Sequence, residues 1–411
     1  LSYRLFVDIR NITPMKLAYV TSHPIQYQVP VFRELAKRSD IEFLAMYAMI
    51  PDAATQGDGF GVEFEWDLPL LSGYESHVLQ NESMHPSVTR FSGCDTPTIL
   101  SSLRGHQVDV VVVNGWVVKT CLQALRSCRK LNIPCLVRGE ANHLRPRPYW
   151  KRFLQRRLVR KFDACLAIGI ANRHFYESYG VPKQEIFDSP YCVENSRFTS
   201  EVFRQPEDRF AFRDQIGITP DATCFLYCGK FEAKKHPLEL LDAFKNAVQS
   251  MRSDRPIHLL MVGDGAMRKE CQNFANDHRL PCSFTGFLNQ TEIVRAYSAS
   301  DCLVLPSDHG ETWGLVVNEA MAAGLPAIVS DQVGCRQDLI ETDRTGFTFR
   351  FGDWNALTEL FVKAAKARDQ LKIMGQYANQ RIASYSPSAA ACGIAQAAHW
   401  VHRASPKKRA I

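Results

Sequence analysis

The sequence predicts an α/β protein of two successive domains, each a parallel sheet wrapped by helices, with a cleft between them. Three observations carry this expectation. Short aliphatic runs alternate with longer amphipathic ones almost throughout, the pattern of βα units. The run 108–113 is nearly all valine, as a strand buried on both faces requires. And 411 residues exceed what one hydrophobic core usually serves.

Residues 16–21 read as the first strand, leading through Ser22-His23-Pro24 into a helix over 29–38, with 41–48 as the second strand. After the 108–113 strand come a helix over 122–130, strands over 134–138 and 164–169, and a helix over 172–179. Apolar rhythm is lost over 198–209, which puts the linker there and an N-terminal domain over 15–200. A second series follows, with strands over 224–227, 258–262, 283–285, 302–305 and 327–330. Helices over 238–250, 267–277, 292–299 and 315–323 alternate with them, giving a C-terminal domain over 201–385. A terminal unit, 386–403, contains the alanine-rich amphipathic stretch 388–403, and Lys407-Lys408-Arg409 reads as a frayed tail. Met15-Lys16-Leu17 looks like a natural start preceded by a leading tail, in which Arg4, Asp8 and Arg10 interrupt any signal-peptide core.

No apolar run approaches the length of a bilayer span, so a cytoplasmic chain is expected. Thirteen scattered cysteines without a Cys-x-x-Cys pair point to reduced core thiols rather than disulfides or zinc. The net charge of +6 is modest, but nine Lys or Arg residues and one acid, Glu140, fall within 138–161. Balanced charge elsewhere argues against nucleic acid as a partner.

Three segments of the second half stand at strand ends, where open α/β sheets bind ligands. In the first, Cys228-Gly229-Lys230 through Lys234-Lys235-His236-Pro237, Gly229 lets the backbone approach a ligand closely, and Lys230 and Lys235 can converge on a diphosphate. Taken alone, a solvated basic turn is the simpler reading. The second runs from Leu305 to Met321, with Glu311 just before a helix that begins near Gly314 and Glu319 about two turns inside it. The helix start exposes unpaired N–H groups, a natural anion site. The helical part of the span is on the order of 8–10 Å, which suits two carboxylates gripping hydroxyls on either side of a diphosphate better than a shared metal. For a bare pair of glutamates, a surface loop and a helix with one glutamate facing solvent is the simpler reading. The third is Gly263-Asp264-Gly265 with Thr285-Gly286-Phe287, tight turns that lack the third glycine of a dinucleotide fingerprint.

Together and in this order, the three resemble the donor domain of glycosyltransferase family 4, of the group 1 glycosyl transferases. Gly229, Lys230 and Lys235 match that family's basic loop, Gly263 and Gly265 its Gly-x-Gly turn, and Glu311, Gly314 and Glu319 its Glu-x7-Glu segment. The likeness is strong over about 226–346 and weak in the first domain. It implies a GT-B fold, two Rossmann-like domains about a cleft, and a terminal helix crossing back to the first domain. It also implies transfer of a sugar from a UDP- or GDP-sugar with retention of anomeric configuration, in surface polysaccharide or glycolipid synthesis. On this resemblance Lys230 and Lys235 neutralise the departing diphosphate and Glu311 holds the transferred sugar. Glu319 binds the ribose, the backbone of Thr312, Trp313, Gly314 and Leu315 holds the phosphates, and the base lies near Phe287 and Gly263. Two cations and a helix N-terminus then do the work of a divalent metal. No Asp-x-Asp occurs, so neither metal nor cofactor is expected beyond the nucleotide-sugar co-substrate.

In the acceptor half, His23, Gln26 and Tyr27 are candidates for acceptor or sugar contacts, with a capped turn around a buried histidine as the equal alternative. Relatives often carry a cleft histidine on this domain. Here Arg138-Gly139-Glu140-Ala141-Asn142-His143 leaves open whether Glu140 or His143 takes that position. The basic stretch from Arg145 to Lys161 interleaves Tyr149, Trp150 and Phe153. It reads either as a peripheral membrane face beside a glycan or lipid-linked acceptor, or as a solvated helix. Rival functions are a nucleotide-sugar epimerase of the same fold and a non-catalytic sugar-nucleotide binding protein.

Overall fold

The computed structural model describes residues 13–57, 61–199, 206–251 and 255–408. Its first half is built on β1 (Met15–Thr21), β2 (Ile41–Tyr47), β3 (Glu75–Val78), β4 (Val110–Val113), β5 (Cys135–Arg138), β6 (Ala164–Ala167) and β7 (Ile186–Asp188). These form one parallel sheet in the order β3-β2-β1-β4-β5-β6-β7. The second half adds β8 (Thr223–Cys228), β9 (Ile257–Val262), β10 (Cys282–Gly286), β11 (Cys302–Leu305), β12 (Ala327–Ser330) and β13 (Gly346–Phe349). They form a second parallel sheet in the order β10-β9-β8-β11-β12-β13. In both sheets the strand order reverses beside the first strand, between β1 and β4 and between β8 and β11. Loops diverge at such points and leave a crevice at the carboxyl ends of the strands.

Every residue of β4 is buried, as helices on both faces demand. The strand begins at Val110 rather than Val108 because Asp109 turns its carboxylate onto the Lys16 N–H (2.9 Å). Three strands had no sequence signal. β3 and β7 are short edges with exposed or polar positions, and β13 lies beyond the last strand expected. The 198–209 stretch is not a loose linker at its described ends. Helices Asn195–Thr199 and Pro206–Gln215 occupy them, and Phe198 packs edge-on against Tyr297 with ring centroids 5.5 Å apart. Residues 200–205 lie outside the described residues, as do 1–12.

The last helix, Pro387–Lys408, returns to the first domain and shares a core with Leu17, Leu35 and Leu136 through Ala390, Ile394 and Ala398. Close approach there depends on Gly393, where a Cβ would fall 1.7 Å from the Asp188 carbonyl oxygen. Lys407 and Lys408, expected in a frayed tail, belong to this helix, and Arg409 lies outside the described residues. Among the described residues no helix is long and apolar enough to cross a membrane. All thirteen cysteines are unpaired and most are buried.

Candidate active site

At the end of β8 the chain turns through Gly229 (φ +149°) into a basic loop, and a single helical turn, Ala233–Lys235, delivers Lys235 to the interior. Lys235 is 8% exposed. Its ammonium donates to the carboxylate of Glu311, which also accepts from the Ser307 hydroxyl at 3.4 Å. His236 braces this loop by placing Nδ1 2.9 Å from the Glu239 carboxylate and Nε2 3.6 Å from that of Asp308. The sequence reading assigned Lys235 and Glu311 to different parts of a ligand. The fold brings them together as a paired ammonium and carboxylate, and Lys230 stands on the same loop.

The neighbouring turns need glycine for a reason the sequence alone did not display. Gly263 (φ +123°) follows β9 so near the β8 loop that a Cβ would sit 2.0 Å from the Gly229 carbonyl oxygen. The next element is the loop after β11, ending at Gly314 (φ +101°), from which helix Leu315–Ala322 starts. The first N–H groups of that helix have no partner within it. Trp313 is turned inward and buried, its indole N–H donating to Asn318 at 2.8 Å.

Glu319 is 9% exposed and accepts a 2.6 Å bond from the Tyr297 hydroxyl. Burial raises the pKa of its carboxyl above the ordinary 4.5, against the opposing pull of the Tyr297 bond and of Arg197 and Lys235. It lines a cavity of about 190 Å³ with Gly229, Gly263, Phe287 and Leu315. Gln26 and Tyr27, candidates for acceptor or sugar contacts, line this same cavity from the first domain.

A second cavity, about 430 Å³, lies at the strand ends of the first domain. Ser22, His23, Asn114, Glu140 and Arg147 line it, and Thr312 reaches it from the other domain. Burial pushes the His23 imidazole down to about 4, so it is neutral at pH 7, with Nδ1 2.9 Å from the Ser22 hydroxyl. Glu140 accepts from Tyr191 and, at 2.5 Å, from the Thr312 hydroxyl, tying the domains together at the wall of this cavity. Tyr191 and Tyr27 hydroxyls are 3.2 Å apart, which extends this polar chain to the wall of the smaller cavity. His143 is exposed, bonds Ser178 at 2.6 Å and packs on Phe175, so of the two alternatives only Glu140 enters the cavity.

Several residues of the site carried no recognisable signal. Trp66 and Arg197 line the smaller cavity, and Tyr191 holds Glu140. Tyr191 ends a connection after an edge strand too short to read, and Trp66 lies in an aperiodic loop. Among the described residues no cluster of three or more His, Cys, Asp or Glu could hold a metal ion.

The fold and its paired cavities define the class: a GT-B protein, two Rossmann-like domains facing a ligand cleft. Residues 208–381 match the family described as glycosyl transferases group 1. A sulfoquinovosyl transferase of Arabidopsis thaliana is 30% identical over 178 residues, 43% of this chain and 33% of that protein. A GDP-mannose-dependent alpha-mannosyltransferase of Mycobacterium tuberculosis is 28% identical over 302 residues, covering 69% and 71% of the two chains. An Anabaena protein, HepE, solved with UDP and glucose, superposes with a TM-score of 0.69 at 15% identity over 93% of this chain and 98% of that one. Its likeness is one of fold. Against the first of these relatives the chain spans about a third of the partner's length.

Proposed function

We propose that this chain is a glycosyltransferase of the family 4 type, moving a hexose from a UDP- or GDP-sugar in the second-domain cavity to an acceptor in the first-domain cavity. The observation that carries the reading is the pairing of the two cavities across one cleft. One is walled by Glu319 and Phe287 beside the Lys235–Glu311 pair, the other by Glu140 and His23, with the Glu140–Thr312 bond joining the domains at the wall of the second. In the reaction the bond from the anomeric carbon to the β-phosphate oxygen breaks and a bond to an acceptor oxygen forms. The acceptor's proton passes to the departing diphosphate, whose charge Lys230, Lys235 and the N-terminus of helix Leu315–Ala322 neutralise. Attack on the face the diphosphate leaves retains configuration. No metal and no cofactor is required in this scheme, and closure of the domains excludes water.

Thermal-shift measurements with UDP, GDP and their sugars test the donor, and transfer in EDTA tests the chemistry. We expect a nucleotide-dependent rise in melting temperature and nucleoside diphosphate release that needs an acceptor and survives EDTA. No shift with any nucleotide would overturn the reading, and loss of turnover in EDTA would overturn its metal independence.

The acceptor we infer is a lipid-linked or membrane-borne glycan, in surface polysaccharide or glycolipid synthesis at the cytoplasmic face. Helix Tyr149–Val159 buries only Val159 and leaves Tyr149 87%, Trp150 61%, Phe153 55% and Leu154 55% exposed amid its cations. Gln155 on this helix and Arg147 just before it line the acceptor-side cavity, so a membrane held on the aromatic face would deliver its headgroups to the mouth of that cavity. Basic residues contribute about 1 kcal/mol each near an anionic surface. Arg156→Glu with Arg157→Glu should therefore weaken binding to phosphatidylglycerol vesicles by at least about tenfold. Equal binding of the unaltered protein to neutral and anionic vesicles would remove the proposal.

A further inference from the structure

Between β2 and β3 the chain, at residues 64–67, leaves the first domain and lies against the second. Its tip is bonded to the loop after β10 and not to its own sheet. The Asp67 carboxylate accepts the backbone N–H groups of Gln290 (3.1 Å) and Thr291 (2.9 Å) together with the Thr291 hydroxyl. The Asn289 side-chain amide donates to the Glu65 carbonyl at 2.7 Å. The far end of the strap is held at home, where Arg33 donates to the carbonyls of Pro69 (2.5 Å) and Ser72 (3.0 Å). Two aromatic side chains travel with it. Phe64 packs on Phe287 with ring centroids 4.2 Å apart, and Trp66 faces the cavity that Glu319, Gly263 and Phe287 line.

We propose that Trp66 is a nucleoside-contacting residue of the donor site supplied by the opposite domain, held in place by the Asp67 latch. The inference rests on the reading of that cavity as the seat of a nucleotide sugar. About 190 Å³ is small beside the 300–1,000 Å³ usual for a whole ligand, so with the strap in place the cavity suits the nucleoside end alone. A planar base or ribose edge then lies against an indole, and aromatic stacking is tolerant of which base is present. The latch is suited to opening. Asp67 is exposed, so water competes for its three bonds. The Trp66 backbone N–H is also held at home by Gln56 Oε1 (3.2 Å), so the latch sets how closely the indole meets the second domain and couples donor affinity to domain closure.

The test is calorimetric titration of UDP and GDP into the unaltered protein, Trp66→Ala, Trp66→Phe and Asp67→Ala, with melting temperatures measured without ligand. Trp66→Ala should weaken the preferred nucleotide by about tenfold or more, and Trp66→Phe should stay within about threefold. Asp67→Ala should weaken it less and mainly speed dissociation, because it loosens the wall without removing it. Melting temperatures should stay within a few degrees of the unaltered protein, as expected for a half-buried loop residue. Unchanged nucleotide affinity in Trp66→Ala would overturn the inference while leaving the donor-site reading intact. An equal loss in Trp66→Phe would also overturn it, as would a loss that merely follows a fall in melting temperature. Failure of the unaltered protein to bind either nucleotide would overturn the donor-site reading first, and this inference with it.

Discussion

Lys235→Ala is expected to lower turnover by about 100- to 1,000-fold, the usual cost of removing one fixed donor aimed at developing negative charge. Nucleotide affinity should change far less, because the interaction is needed most when the diphosphate departs. The structure adds a complication. Lys235 and Glu311 are mutually paired with side chains only 11% and 15% exposed, so removing the ammonium leaves a carboxylate largely buried without its counter-charge. A fall in melting temperature should therefore accompany the loss of turnover. The two effects separate in the double variant Lys235→Ala with Glu311→Gln, which removes the stranded charge. We expect it to recover most of the thermal stability and none of the turnover, a non-additivity diagnostic of a pair in contact. Recovery of turnover in the double variant would mean that the pair only braces the loop.

Glu319→Gln should separate binding from stability in the opposite sense. Its carboxylate faces the donor-side cavity and is the natural acceptor for ribose hydroxyls. Hydrogen bonds to charged groups contribute about 1.5–3 kcal/mol, so nucleotide affinity should fall by roughly 10- to 150-fold. Stability should hold or rise, because burial opposes the ionised form and the neutral amide oxygen still accepts from Tyr297. The sign of the pH dependence follows. A carboxyl whose pKa is raised on folding binds its proton more tightly in the folded state. Its contribution is most favourable at and below the ordinary 4.5, and declines as pH rises through the folded-state value. The melting temperature of Glu319→Gln relative to the unaltered protein should therefore climb as pH rises above about 4.5 and then level off. Nucleotide affinity of the unaltered protein should fall on an acid limb lying above 4.5, a limb absent from the variant. A variant that binds nucleotide as tightly as its parent at neutral pH would remove Glu319 from the site.

How much of the site was legible depended on how each residue is tied to its local sequence. Lys230, Lys235, Glu311, Gly314 and Glu319 sit at fixed offsets from strand ends and a helix start, so together they could be matched to a family's motifs, though none stood out by spacing alone. Gln26 and Tyr27 were visible as residues of a strand-to-helix loop, yet the cavity they enter was not, because the domains' packing directs that loop toward Glu319 and Phe287. His143 and Glu140 lie three residues apart on one loop, and a turn separates them into an outward histidine against Phe175 and an inward carboxylate against Thr312. Nothing marked Trp66, since its loop has neither period nor motif and its role arises from bonds to residues more than 200 positions away. The short edge strands β3 and β7 escaped for a related reason. Half-covered strands do not need the continuous apolar run that announced β4.

What the sequence determined by itself was local and periodic. It specified the alternation of strands and helices, the division into two α/β halves, and the charged residues at the strand ends of the second half. Backbone hydrogen bonding and burial of apolar faces act over a few residues, so these features can be read along the chain. Tertiary structure alone decided which groups meet: Lys235 with Glu311, Glu140 with Thr312, Asp67 with Thr291, and Trp66 with the donor cavity. Each meeting joins segments brought together only when two sheets pack across a cleft, and side-chain chemistry carries no record of the distance it will have to span.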